Sequence, residues 1–191
     1  MKKLSFKAVL VPTMTLFLVC LIITAALAFT NSVTSKTIAE NEAAAQQESM
    51  KIVCPDAESF ELFKESENGT TIYKGIKADN NNAGYAISAV ANGYGGQVKV
   101  MVGINDGEII AIDVFYNDDE TPGLGKNTSN EDFTSRFSGL RTDDTIVVDK
   151  DYQGNGQKVD AVTSSTTSSR AVVDAVNSAL EAYNSIAGGE Q

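Results

Sequence analysis

The chain has 191 residues, 42% of them hydrophobic, enough for one domain with a buried core and a small appendage. It contains no His and no Trp, which excludes a Ser-His-Asp or Cys-His catalytic site and the usual His-bearing zinc sets, and points to a cofactor for any chemistry it does. Lys2, Lys3 and Lys7 are the only charged residues before Lys36, and the 12 basic and 25 acidic residues beyond them give a net charge of −13, a sign that repels nucleic-acid phosphates and excludes a nucleic-acid role.

Ala8 to Phe29 carry no charge and are mostly Leu, Val, Ile, Ala and Phe. That is about the twenty residues a bilayer-spanning helix needs. Pro12 sits near its start, where a helix tolerates proline. The basic residues ahead of the run place the N-terminus in the cytoplasm and the acidic remainder outside the cell membrane. Ala26-Leu27-Ala28 resembles a signal-peptide cleavage site, but the run is longer than a usual signal core, which favours a retained anchor. Cys20, inside the run, and Cys54, beyond it, lack metal-ligand spacing and are read as unpaired structural thiols.

The polar, Ala- and Glu-rich segment that follows suits a helical stalk. The chain thus divides into a basic end and transmembrane anchor (1–29), a stalk (30–55) and an extracytoplasmic domain (56–191). Asp56 to Lys64 predicts a short helix. Thr70 to Ala78 and Gly84 to Asn92 predict strands, and Tyr94-Gly95-Gly96 punctuates the chain. Val98 to Ile104 and Glu108 to Tyr116 flank Asp106-Gly107, a strong hairpin signal. Alternation puts Ile109, Ala111, Asp113 and Phe115 on one face of the second strand and Ile110, Ile112 and Val114 on the other. Pro122-Gly123 marks a turn, Asn130 to Phe137 a short helix, Thr145 to Asp149 a strand and Asp151 to Gly156 a loop. Val173, Val176, Leu180 and Tyr183 recur at helical spacing and predict a final helix from Arg170 to about Ala187, stopped by Gly188-Gly189. The expected fold class is α+β: a single N-terminal transmembrane helix, then a compact, mainly antiparallel sheet with flanking helices.

Seven consecutive hydroxyl residues, Thr163 to Ser169, precede that helix. Three readings are open. Ser168 or Ser169 caps the helix, and the rest is a polar loop. One hydroxyl is a nucleophile, which without His needs Lys, Asp or Glu as its base. Or one hydroxyl accepts a phosphoryl-linked cofactor, because a helix N-terminus offers free N–H groups and a favourable dipole end. In that case Arg170 adds a cation, and Asp160 orients a hydroxyl for a modifying enzyme.

Asp160-Ala-Val-Thr-Ser-Ser-Thr-Thr-Ser168 resembles the flavinylation motif of the FMN-binding domain family, D-x-x-[ST]-G-A-T-x-[ST]. Glu120-Thr-Pro-Gly-Leu-Gly125 resembles a signature of that family's G subunits of Rnf electron-transport complexes, and the C subunit of the sodium-pumping NADH:quinone reductase has a related motif. The resemblance spans about residues 8 to 187. It implies FMN joined to Thr166 through a phosphoester, with Asp160 as the leading acid, Thr163 as the upstream hydroxyl, and Thr167 and Ser168 downstream. Ser164 and Ser165 stand where the family has Gly and Ala, and Asn117-Asp118-Asp119 where it often has His. Around the ring it implies Glu120, Thr121, Gly123 and Leu124, with Gly123 or Gly125 allowing close approach.

The resemblance further implies a flavin transferase that uses FAD, the other subunits of the complex as partners, and a role as electron relay between reduced ferredoxin and NAD, coupled to Na⁺ or H⁺ movement. The chain would then be one component of an enzyme, with no nucleotide fingerprint or cysteine cluster of its own. The alternatives are a stand-alone extracytoplasmic flavoprotein shuttle and a non-redox, membrane-anchored domain that binds a ligand or partner.

Overall fold

The computed structural model describes residues 6–66 and 69–187. Lys2, Lys3 and the Gly188-Gly189 stop lie outside the described residues. The chain forms two compact units, Met1–Ala43 and Ala44–Gln191. Helix α1 (Phe6–Val53) begins in the first and ends in the second.

In the first unit, residues 9–29 are exposed along their whole length, as apolar side chains facing lipid would be. Thr13, Thr15 and Thr30 donate their hydroxyls to the carbonyls of Val9, Val11 and Ala26 at 2.8, 2.9 and 3.0 Å. These three hydroxyls are therefore satisfied within the helix, as a bilayer interior demands. Among the described residues this is the one helix long and apolar enough to cross a membrane. Pro12 falls in its second turn, because the helix starts at Phe6.

The second unit is built on a five-stranded antiparallel sheet: β1 (Ser59–Glu65), β2 (Thr71–Ile76), β3 (Asn82–Asn92), β4 (Gln97–Asn105) and β5 (Glu108–Tyr116), neighbours in that order. The β4–β5 hairpin turns on Asp106 and Gly107 at φ 50° and 80°, the left-handed pair that a tight two-residue turn requires. The helix expected over Asp56 to Lys64 is instead mostly β1. Ser59 to Glu65 pairs with Ile76 to Thr71, and this tertiary pairing outweighs the local charge pattern.

The expected facing of β5 is also corrected at two residues, Ile109 and Ile110. Ile104 opposes Ile109 while Gly103 opposes Ala111, so Ile110 is an extra residue in a bulge. Ile109 consequently joins Ile112 and Val114 in one apolar cluster, whereas Ile110, Ala111 and Phe115 pack with the other. The outer edge of β5 is covered in part: Ile109 N–H donates to the Leu140 carbonyl at 2.9 Å, and Gly139 N–H donates to the Ile109 carbonyl at 2.8 Å.

Helix α2 (Glu131–Thr134) runs into a 3-10 turn, Ser135–Phe137, and the rings of Phe133 and Phe137 meet edge-on at 5.4 Å. Strand β6 (Ile146–Val148) falls within the strand expected over Thr145 to Asp149, and it pairs in parallel with β7 (Gln157–Val159), which is too short to stand out in the sequence. The last helix is α3 (Thr166–Ala187).

The sheet has a core on each face. On one, Ile87, Val98, Val100 and Val102 share a cluster with Val172, Val176, Ala179 and Leu180 of α3. At ~1.5–3 kcal/mol per buried aliphatic side chain, that stripe outweighs the poor helix propensity of the Ser/Thr run. On the other face, Met50, Val53 and Cys54 pack with Ala86 and Met101.

Cys54 is 1% exposed, and burial, with Asp56 adding a smaller push, raises its thiol pKa to about 12. At pH 8 only about one such thiol in ten thousand is a thiolate. Folded protein carrying Cys20→Ser will therefore resist iodoacetamide at pH 8 and will be alkylated after unfolding. Equal labelling rates in the two states would contradict this packing.

Candidate functional site

The hydroxyl run is the start of α3. The Ser165 carbonyl accepts the first helical bond, from Ser169 N–H at 2.9 Å. Thr166, Thr167 and Ser168 thus form a first turn whose N–H groups have no partner within the helix. The expected cap at Ser168 or Ser169, with a helix from Arg170, is corrected: both serines lie inside the helix and are buried. Their hydroxyls are held by tertiary partners. Ser168 Oγ donates to Glu120 Oε2 at 2.8 Å, and Ser169 Oγ accepts Val162 N–H at 3.0 Å. Hydroxyls engaged this way no longer compete for nearby backbone, so the helix can start early.

Glu120 is the hub of this region. It is only 2% exposed, and both carboxylate oxygens are used within the protein. Oε2 takes the Ser168 hydroxyl, while Oε1 accepts Tyr94 N–H at 2.7 Å and Gly95 N–H at 3.3 Å. One side chain therefore ties the Gly93–Gly96 loop to the first turn of α3. Two glycines make room for it. A Cβ at Gly93 would lie 2.1 Å from Glu120 Oε1, and one at Gly125 2.0 Å from Oε2 and 2.8 Å from Ser168 Oγ. Asn117 is buried where the resemblance leads one to look for an imidazole, and its side-chain amide donates to the Lys126 carbonyl at 3.2 Å.

Beside this hub lies a cleft of about 600 Å³, lined by Tyr94, Glu120, Thr121, Leu124, Gly125 and the segment from Ser164 to Ser168. Thr166 is half-buried in it, and Thr167 is exposed. Leu124 reaches it with 42% of its surface exposed. Of the residues singled out in the sequence, Glu120, Thr121, Leu124, Gly125 and the run from Ser164 to Ser168 meet here. Asp160, Thr163 and Gly123 are not among the lining residues. Asp160 is exposed, 3.8 Å from Lys158 Nζ, and its carbonyl accepts Arg136 Nη1 at 2.6 Å. Gly123 is exposed at φ +76°, and its carbonyl accepts the Asn127 side-chain amide at 2.8 Å.

Arg170 is not among the lining residues and grips Asp151 through two hydrogen bonds of 2.5 and 2.6 Å, which hold the Asp151 carboxyl below the usual range. Ala161 N–H donates to Asp149 Oδ1 at 2.9 Å and holds that carboxyl down in the same way. Sequence reasoning passed over Tyr94 and Gly93. Their signal was a Gly-Tyr-Gly-Gly segment, read as punctuation and as part of the order of elements in the resemblance, with no role at the site.

Ser164 adopts φ +62°, the left-handed region that favours glycine. Ser164→Gly will therefore raise the unfolding free energy by up to ~1 kcal/mol, measured in denaturant. A loss of stability would show that the serine side chain has a supporting role.

Residues 93–181 match the FMN-binding domain family, and residues 1–53 match the RnfG N-terminal region. The chain is 32% identical over 174 residues to the G subunit of the ion-translocating oxidoreductase complex of Methanosarcina acetivorans, covering 87% of this chain and 90% of that one. It is 29% identical over 180 residues to the G subunit of the proton-translocating ferredoxin:NAD(+) oxidoreductase complex of Clostridium ljungdahlii, with 93% of each chain covered. It is also 29% identical over 201 residues to the G subunit of the Na(+)-translocating ferredoxin:NAD(+) oxidoreductase complex of Acetobacterium woodii, with 96% of each covered. The crystal structure of the C subunit of the Na(+)-translocating NADH-quinone reductase from Parabacteroides distasonis shares the fold, at a TM-score of 0.58 and 16% identity over 78% of this chain and 94% of that one. The chain belongs to the G-subunit family of ion-translocating oxidoreductase complexes, with an FMN-binding domain after its N-terminal helix.

Proposed function

We propose that this subunit relays electrons in a membrane-bound ferredoxin:NAD oxidoreductase complex, through FMN joined to Thr166 by a phosphoester. The observation that carries the reading is the position of Thr166, in the first turn of α3 and on the wall of the cleft. The residues present fit the group. The cleft volume, about 600 Å³, lies within the range of small-molecule sites. The first-turn N–H groups and the dipole end of α3 suit a phosphate. Ser165 Oγ is buried without a hydrogen-bond partner. Leu124 and Thr121 offer an apolar and a polar surface to a ring.

Bound isoalloxazine accepts one or two electrons, which is the chemistry a relay needs. The protein's own share is positional. Thr166 fixes the cofactor covalently, so an exposed domain does not lose it by dilution. Glu120 holds the loop and helix that form the cleft in one geometry. Asp160 and Thr163, exposed on the segment leading into α3, are open to a flavin transferase that reads the motif. The membrane helix holds the domain beside the other subunits. The domain faces the outer side of the membrane, on the basic residues ahead of the apolar run. The coupled ion is Na⁺ or H⁺, since relatives of equal identity are named for each.

Full-length protein co-expressed with a flavin transferase and the other subunits will give a fluorescent band in a denaturing gel and will co-purify with them. A colourless protein would favour the non-redox ligand-binding domain. Flavin with no co-purifying subunits would favour the stand-alone shuttle.

A further inference from the structure

Tyr94 is an aromatic side chain with 76% of its surface exposed, yet its backbone is tied to a buried carboxylate. Its N–H donates to buried Glu120 Oε1 at 2.7 Å, and Gly93 N–H closes the loop onto the Gly96 carbonyl at 2.7 Å. The loop packs so closely on Glu120 that Gly93 has no room for a Cβ. The ring itself buries little against the protein, so the fold gains little from it. It lines the same cleft as Thr166 and Leu124. A large, stiff aromatic held in solvent at a cleft wall is the usual means of offering a flat ligand a π-surface at small entropic cost.

We infer that the Tyr94 ring is a contact surface for the isoalloxazine, placed there by the Glu120 clamp. The inference rests on the reading of Thr166 as the FMN acceptor and assigns the ring a second point of attachment. The phosphoester fixes one end of the cofactor through a flexible chain. A planar contact at the other end sets where the ring lies and shields one of its faces from water. Leu124, 42% exposed in the same cleft, adds apolar surface but no π-face. Other exposed aromatics do not share this placement: Tyr152, 43% exposed, is absent from the cleft lining.

Flavin fluorescence tests this directly. A tyrosine ring in contact with isoalloxazine quenches its emission by lending one electron to the excited ring and regaining it on recombination, with no net chemistry. Full-length protein is matured with the transferase, and emission lifetime is measured at equal flavin content. Tyr94→Leu and Tyr94→Phe will each lengthen the lifetime several-fold, and Tyr152→Phe will leave it unchanged. Tyr94→Leu will also shift the midpoint potential, which a merely structural role for an exposed side chain would not do. The melting temperature should stay at the native value, because the ring packs little against the protein. Adducts with the same lifetime in native and Tyr94→Leu protein would overturn the inference and leave the acceptor assignment standing. Native protein with no adduct at all would overturn both.

Discussion

Glu120→Ala will destabilise the domain by about 3 kcal/mol or more, and its flavin content will fall with it. The carboxylate is 2% exposed and accepts three donors, from Tyr94, Gly95 and Ser168. Alanine removes all three acceptor bonds and leaves the buried Ser168 hydroxyl without its partner. Hydrogen bonds to a charged group are worth about 1.5–3 kcal/mol each, and a buried donor left without a partner costs about 1–3 kcal/mol. Glu120→Gln keeps an acceptor for the two N–H groups and can donate its amide to Ser168 Oγ, so it will recover most of the loss. Gly125→Ala attacks the same contact from the other side, since its Cβ would lie 2.0 Å from Glu120 Oε2. Overpacking of this kind costs about 1–3 kcal/mol. Denaturant unfolding of the three variants checks the ordering. A Glu120→Ala protein within ~0.5 kcal/mol of native, the scale of an ordinary surface change, would show that the clamp does not hold the site together.

Thr166→Ala will carry no covalent flavin, and electron flow through the assembled complex will fall to background. The folded state will barely notice, because Thr166 is only half-buried in the first turn of the helix. A stability change within about ±0.5 kcal/mol is expected, as for other surface substitutions away from special features. Thr166→Ser restores a hydroxyl at the same position and will be flavinylated. The pair separates loss of the acceptor from loss of the fold, which Glu120→Ala cannot do. Fluorescence in a denaturing gel, scored beside the melting temperature, reads both. A Thr166→Ala band as bright as native would move the acceptor elsewhere in the run.

Much of the domain could be read locally. The Asp106-Gly107 turn set the β4–β5 hairpin because both residues tolerate positive φ. The apolar spacing of Val173, Val176 and Leu180 gave α3 its buried face. What escaped depended on distant partners. Residues 59–65 look helical by charge pattern, and only pairing with β2 makes them a strand. The bulge at Ile110 turns Ile109 to the other core, a shift that strict alternation cannot register. Strand β7 is three residues long and exists through its pairing with β6.

The site divides in the same way. The motif spacing drew attention to Thr166 and Glu120, and both line one cleft. The work of Glu120 was hidden, because its partners lie 25, 26 and 48 residues away. Ser168 and Ser169 looked like free hydroxyls and caps, whereas each has a tertiary partner. This pairing also narrows the hydroxyl run. Ser165, Ser168 and Ser169 are buried, which leaves Thr163, Ser164 and Thr167 as the exposed rivals to half-buried Thr166.

Peptide mass spectrometry of the matured protein tests the central claim most directly. Cleavage after Lys158 and Arg170 releases one peptide, Val159 to Arg170, that holds all seven hydroxyls of the run, so fragment ions must place the adduct. A single FMN-derived phosphoester on Thr166 is expected. An adduct on Ser164 or Thr167, or an unmodified peptide from protein matured with the transferase, would contradict it.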